Sequence, residues 1–331
     1  MVWATRPEPR FRAERAQVRY GIRTRFALMT VLVLAACNAL TPTKTPIPPE
    51  RPADIGADAP GAGTQSAQSA DLERYYLAVQ NDLLTRGLLR TDGGGPDTPF
   101  SADDLARNFE TLTFYSEYSS AGSSPGSAGS LSRWSGPIRV STEFAPRIPA
   151  AQQDGDRAVV NSYVRRLARV TRHPISISAR SANFHVFVAG EDDQAFIQTR
   201  MRELIPDIKQ KDINLFLNVP RSIYCLVVAF SGSGTPHDYT RAIALIRAEH
   251  PDLVRQACIH EEVAQGLGMP NDSLQARPSI FNDDDEFALL TNHDELLLQM
   301  LYDPRLKAGM TADEARPVVR ILAREFTGQA L

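Results

Sequence analysis

The chain has little cysteine, little tryptophan and no long apolar run. Three cysteines and two tryptophans in 331 residues rule out a small disulfide scaffold. The most apolar stretch, Phe26 to Ala36, is too short for an ordinary membrane-spanning helix. Charge of one sign is also missing: 36 basic residues face 39 acidic ones, and the basic ones form no single stripe. That composition argues against nucleic acid as a partner. No internal repeat occurs. Ser231-Gly-Ser-Gly-Thr-Pro follows an apolar run as a phosphate loop would, but lacks the lysine and the full glycine spacing, and reads as a strand-to-helix loop. What remains is an ordinary globular composition, long enough for one large domain or two small ones.

The first residues read as an address. Seven arginines precede Phe26-Ala-Leu-Met-Thr-Val-Leu-Val-Leu-Ala-Ala36, and Cys37 follows at once. A basic leader, a short apolar core and small residues at the end make a secretory signal. Leu34-Ala35-Ala36-Cys37 resembles the bacterial lipoprotein box. The resemblance implies cleavage before Cys37, lipidation of its thiol and attachment to the bilayer through the acyl chains. Asn38 follows the cysteine where inner-membrane proteins of that class carry aspartate, which points to the outer membrane with the folded part facing the periplasm. The processed chain would carry 29 basic and 37 acidic residues, net −8, suited to standing off an anionic surface. Residues 37–69 are rich in Pro, Thr, Ala and Gly without apolar periodicity, and read as a disordered tether.

Two cysteines remain. In an oxidising compartment Cys225 and Cys258 most simply pair with each other. The alternative, a catalytic or metal-binding thiol, is disfavoured because Cys225 lies in the apolar run Ile223-Tyr-Cys-Leu-Val-Val-Ala-Phe230.

The exported part alternates helical and extended patterns. Helices are expected over 70–91 and from the capping box Ser101/Asp104 to about Tyr118, followed by a Ser/Gly loop. Strands are expected over 138–144, 184–188 and 223–230, and helices over 156–171 and 194–204. Residues 237–268 read as helical at both ends with a break near His250-Pro251. We therefore divide the chain into a leader (1–36), a tether (37–69), a helical N-terminal region with its loop (70–133) and a sheet-bearing domain (134–331), α+β in class.

The stretch Glu261-Glu-Val-Ala-Gln-Gly-Leu-Gly-Met-Pro-Asn-Asp272 carries the functional inference. Its spacing E-E-x-x-Q-x-x-G-x-x-N-D resembles the metzincin zinc-peptidase motif H-E-x-x-H-x-x-G-x-x-H-D. The resemblance places Glu262 at the general-base position, Gly268 at the turn and Asp272 at the closing acid. Glu261, Gln265 and Asn271 stand at the three ligand positions. Pro278-Ser-Ile-Phe-Asn282 resembles the turn beneath the metal in matrixin-like members, with Phe281 in the place of methionine. Leu290-Thr-Asn-His-Asp294 and Leu301-Tyr302 resemble their closing helix. The fold so implied is a twisted mixed sheet, a long active-site-type helix and a small helical C-terminal subdomain. The exported chain also resembles an uncharacterised family of proteobacterial envelope proteins known as a domain of unknown function.

Zinc prefers imidazole and thiolate, and accepts carboxylate; carboxamide oxygens are weak donors for it. One carboxylate and two amides make a poor site, so no cofactor is expected. His260 points about 100° away from Glu261 around a helix and reads as a partly buried surface histidine. Glu261, Gln265 and Asn271 are instead expected to meet in a metal-free polar network. Asn282-Asp-Asp-Asp-Glu286 lacks calcium-loop spacing and reads as a solvated acidic loop. Three functions follow as expectations: a non-catalytic, peptidase-like lipoprotein that binds an envelope protein or peptide; an active metallopeptidase using Glu262 with an unusual ligand set; or a structural envelope lipoprotein.

Overall fold

The computed structural model describes residues 2–4, 64–115 and 128–329. Cys37, nearly all of the expected leader, most of the tether and much of the Ser/Gly loop lie outside the described residues. The elements are β1 (Val2–Ala4), α1 (Ala67–Thr85), α2 (Ala102–Phe114), β2 (Ile138–Phe144), α3 (Ala150–Thr171), β3 (Ile175–Ile177), β4 (Phe184–Ala189), α4 (Gln194–Leu204), α5 (Gln210–Leu217), β5 (Cys225–Gly232), β6 (Thr235–Arg247), α6 (Asp252–Gln265), α7 (Asn292–Leu301) and α8 (Ala312–Thr327). The class is α+β, with one mixed sheet in the order β1-β5-β6-β4-β2-β3. Strands β2, β3, β4 and β6 are parallel neighbours, and β5 runs antiparallel to β6. Strand β1 extends the sheet antiparallel to β5. It falls within the expected leader, so a chain cleaved before Cys37 would present β5 as the edge.

Strand alternation builds two cores. On β4, Phe184, Val186 and Val188 face one side, where α3 and α6 pack through Val160, Tyr163, Ile259 and Val263. Phe187 and Ala189 face the other side, against Ile197 and Met201 of α4 and Ile213 and Phe216 of α5. The central strands are buried on both faces, which is why they read as near-continuous apolar runs.

Three expectations are corrected. Residues 235–247 form a strand, β6, and only the part after Pro251 is helical. The run Ala242-Ile-Ala-Leu-Ile246 is apolar throughout, and periodicity cannot tell such a run from a buried helix; pairing with β4 and β5 decides it. The Ser231–Pro236 stretch is accordingly a hairpin, closed across Gly232 and Thr235, and leads to a strand instead of a helix. Helix α1 ends at Thr85, short of residue 91, because Gly87 and Leu89 take positive φ, +76° and +57°. The Ser101/Asp104 capping box of α2 forms as the sequence implies. Among the described residues no helix is long and apolar enough to cross a membrane.

Candidate functional site

Helix α6 is buried on every side from Cys258 to Gln265. Its polar side chains therefore need partners inside the protein. The carbonyls just past its end are taken up by two distant aromatics: Trp134 Nε1 donates to Gly266 O (2.8 Å) and Tyr302 Oη to Leu267 O (2.9 Å). The chain then turns at Gly268, where φ is +134° and a Cβ would lie 2.4 Å from Ser132 O. Both the dihedral and the close approach restrict this position to glycine.

The ligand-position side chains go to structural partners. Gln265 Nε2 donates to Asp272 Oδ1 at 2.8 Å, joining the helix to the acid seven residues on. Asn271 donates through its backbone N–H to Leu112 O (3.2 Å) and through Nδ2 to Thr111 O (3.0 Å). It thereby ties the turn to α2 by satisfying carbonyls near that helix's C-terminus. Gln265 Oε1 is sealed in the interior without a hydrogen-bond donor.

Glu261 and Glu262 lie beside the disulfide. Their carboxylate oxygens and Cys225 Sγ fall within 4.8 Å of one another. Cys225 is bonded to Cys258, 33 residues away, so its sulfur is no thiolate donor. The disulfide pins α6 to the start of β5. Glu261 borders a cavity of about 10 Å³ closed by Leu83 of α1, Tyr224, Cys258 and Asp285. That is room for about one water. Glu262 is wholly buried. A zinc ion is not suited to this set: two carboxylates, two amides whose oxygens are weak donors, and an oxidised sulfur.

The downstream motif works as a brace. Asp294 is wholly buried, and its carboxylate accepts from Ser279 Oγ, Ile280 N–H, Thr291 N–H and Thr291 Oγ1. One side chain thus caps α7 and fastens the turn that carries buried Phe281. In the acidic loop, Glu286 pairs with Arg90 and Arg277. His293 is wholly buried, with Nε2 3.1 Å from Asn108 Nδ2.

His260 is a core residue, which corrects the expected surface location. It is 6 % exposed, its ring stacks on Tyr163 at 3.9 Å, and its Nδ1 accepts from Leu290 N–H (3.1 Å). Burial, with a smaller contribution from nearby Arg166, pushes its pKa down to about 3, so the ring is neutral at pH 7. The i,i+4 spacing identified the α6 face, but nothing local marked Trp134, Tyr302 and Asp294 as its supports.

This geometry defines a mixed α+β domain built around a buried helix with a glycine turn at its end. A family model described as a protein of unknown function, DUF2927, matches residues 102–321, and the chain belongs to that family. No curated protein matches the chain, and no solved structure does.

Proposed function

We propose that the chain is a lipid-anchored envelope protein, held by acylated Cys37 and facing the periplasm, whose folded part is a degenerate metzincin-like domain. In this reading it is non-catalytic and binds an envelope protein or peptide. The reading is supported by the mixed sheet, the buried helix α6, the Gly268 turn, the Phe281 turn and the Thr291/Asp294 helix, which follow one another in the order that the motifs imply. The observation that carries it is the fate of the ligand positions. Gln265 and Asn271 spend their amides on Asp272 and α2, and Glu261 sits beneath α1 beside a cavity with room for one water. A substrate peptide would have no path to Glu262, so the partner surface lies elsewhere on the domain.

Metal analysis of the full chain, purified in detergent without chelator, tests the reading. The expected result is far less than one zinc per chain and no peptide cleavage. The triple variant Glu261→His, Gln265→His, Asn271→His should bind zinc more tightly, since imidazoles replace poor donors. Stoichiometric zinc in the native chain, with cleavage lost in Glu262→Gln, would establish the active peptidase instead. For the anchor, Cys37→Ala should abolish acyl labelling and membrane partition; unchanged labelling would refute lipidation at that residue.

A further inference from the structure

We propose that the crevice at the carboxyl ends of β2, β4 and β6 is a binding site for an organic cation, an ammonium or guanidinium group seated against Glu249. The chain path opens this crevice. The connection after β2 leads to α3 on one face of the sheet, that after β4 leads to α4 on the opposite face, and that after β6 returns to α6 on the first face. Where neighbouring parallel strands send their connections to opposite faces, the loops part and leave room for a ligand. Here the room is about 300 Å³, lined by all three connections and by the first turns of α1.

Its chemistry favours a cation. Glu73, Asp192, Asp193 and Glu249 line it against one basic residue, Arg147. Arg147 is already engaged, 3.4 Å from Asp192 and donating to Thr64 O at 2.6 Å. Glu249 is 6 % exposed. Its Oε1 accepts from Glu191 N–H (2.7 Å) and Ser69 Oγ (2.9 Å), whereas Oε2 meets no donor. A buried carboxylate oxygen without a donor is costly, and a cationic N–H supplies the missing bond with charge assistance. Burial holds the Glu249 and Asp193 carboxyls above their ordinary pKa, outweighing the nearby charges of Arg247 and Arg147. Gly190 permits the arrangement: a Cβ there would lie 2.6 Å from Glu249 Oε1. A metal ion is the poorer fit. Among the described residues no three donors of this crevice converge within 4.8 Å, whereas a metal gathers its ligands at about 2.0–2.6 Å.

The test is calorimetric titration of the detergent-solubilised full chain with agmatine, which carries both cationic groups, at pH 7. Saturable binding is expected, and Glu249→Gln should weaken it about ten-fold or more, the loss of one charge-assisted contact. Gln152→Lys, at a half-buried position on the same wall, should abolish binding by placing an ammonium in the crevice. That variant decides the matter if Glu249→Gln fails to fold. Absence of saturable binding, or undiminished affinity in a folded Glu249→Gln or in Gln152→Lys, would overturn the proposal. So would calcium alone binding more tightly than agmatine and being lost in the same variants, which would make this a metal site.

Discussion

The surroundings of α6 and the crevice at the strand ends treat their polar side chains in opposite ways. Around α6, the amides of Gln265 and Asn271, the indole of Trp134, the hydroxyl of Tyr302 and the carboxylate of Asp294 fasten one segment to another. At the crevice, Glu249 spends one oxygen on the fold, and its other oxygen is buried without a donor in a residue that lines the open space. A motif that resembles a catalytic one is thus embedded as structure, while residues without any motif line the more accessible chemistry. A buried polar group that finds partners adds rigidity; one left half satisfied points to a ligand where its residue lines open space, as Glu249 does, and not where it is sealed in the interior, as Gln265 is.

Substitutions around α6 should therefore cost stability. The largest loss is expected for Gly268→Ala, which combines a left-sided φ with a close approach to backbone. We expect about 3 kcal/mol or more, read as a shift in the urea midpoint. Replacing Cys225 and Cys258 together by alanine should cost about 2–4 kcal/mol, by freeing the closed loop in the unfolded chain. A loss below about 1 kcal/mol would mean that α6 is held without its link to β5.

Acid should act through His260 first. Its folded pKa, about 3, lies below the ordinary 6.5, so the unfolded chain binds the proton more readily. The stability it contributes is full above about pH 6.5 and is lost as pH falls through about 3, reaching roughly 2 kcal/mol near pH 5. Glu143 adds a second, lower window. Burial alone would raise it, but hydrogen bonds from His185 and Arg200 outweigh that and hold it at about 2. Its contribution is lost as pH falls from about 4.5 through about 2. Denaturation midpoints followed from pH 7.5 to 5 should fall in the native chain and much less in His260→Gln; equal slopes would remove His260 as the cause.

The smallest effect sharpens the contrast. Glu249→Gln should change stability by less than about 1 kcal/mol, because the amide oxygen can keep the bonds to Glu191 and Ser69 and the amide nitrogen replaces an oxygen without a donor. A loss of several kcal/mol in thermal or urea unfolding would place Glu249 with the structural groups of α6.

Much of the local structure was legible in advance. Ser101 with Asp104 announces a helix start because a hydroxyl and a carboxylate three residues apart satisfy orphaned N–H groups; the same box at Thr291 and Asp294 is seen only in the structure. Helix α4 was readable to the residue from its amphipathic spacing. The turn at Gly268 is implied by the motif resemblance, whereas the close approach to Ser132 O that demands glycine there is seen only in the structure. By contrast, the apolar run of β6 has no period that separates strand from helix, and helix spacing says which way His260 points but not what packs there. The crevice left only a faint trace, the acidic run Glu191-Asp-Asp193 directly after a strand.

The sequence by itself determined the elements whose causes are local: caps, turns, alternating strands, and the cysteine pairing, which follows from there being two thiols left to pair. Only the tertiary structure decided that Asn271 serves α2, that Asp294 braces the Phe281 turn, that the face of Glu261 is closed by α1, and that Glu249 meets the loop after β4 and the first turn of α1. Each of these joins residues far apart in the chain. Their energies depend on packing and desolvation at a meeting point, which no local pattern of residues encodes.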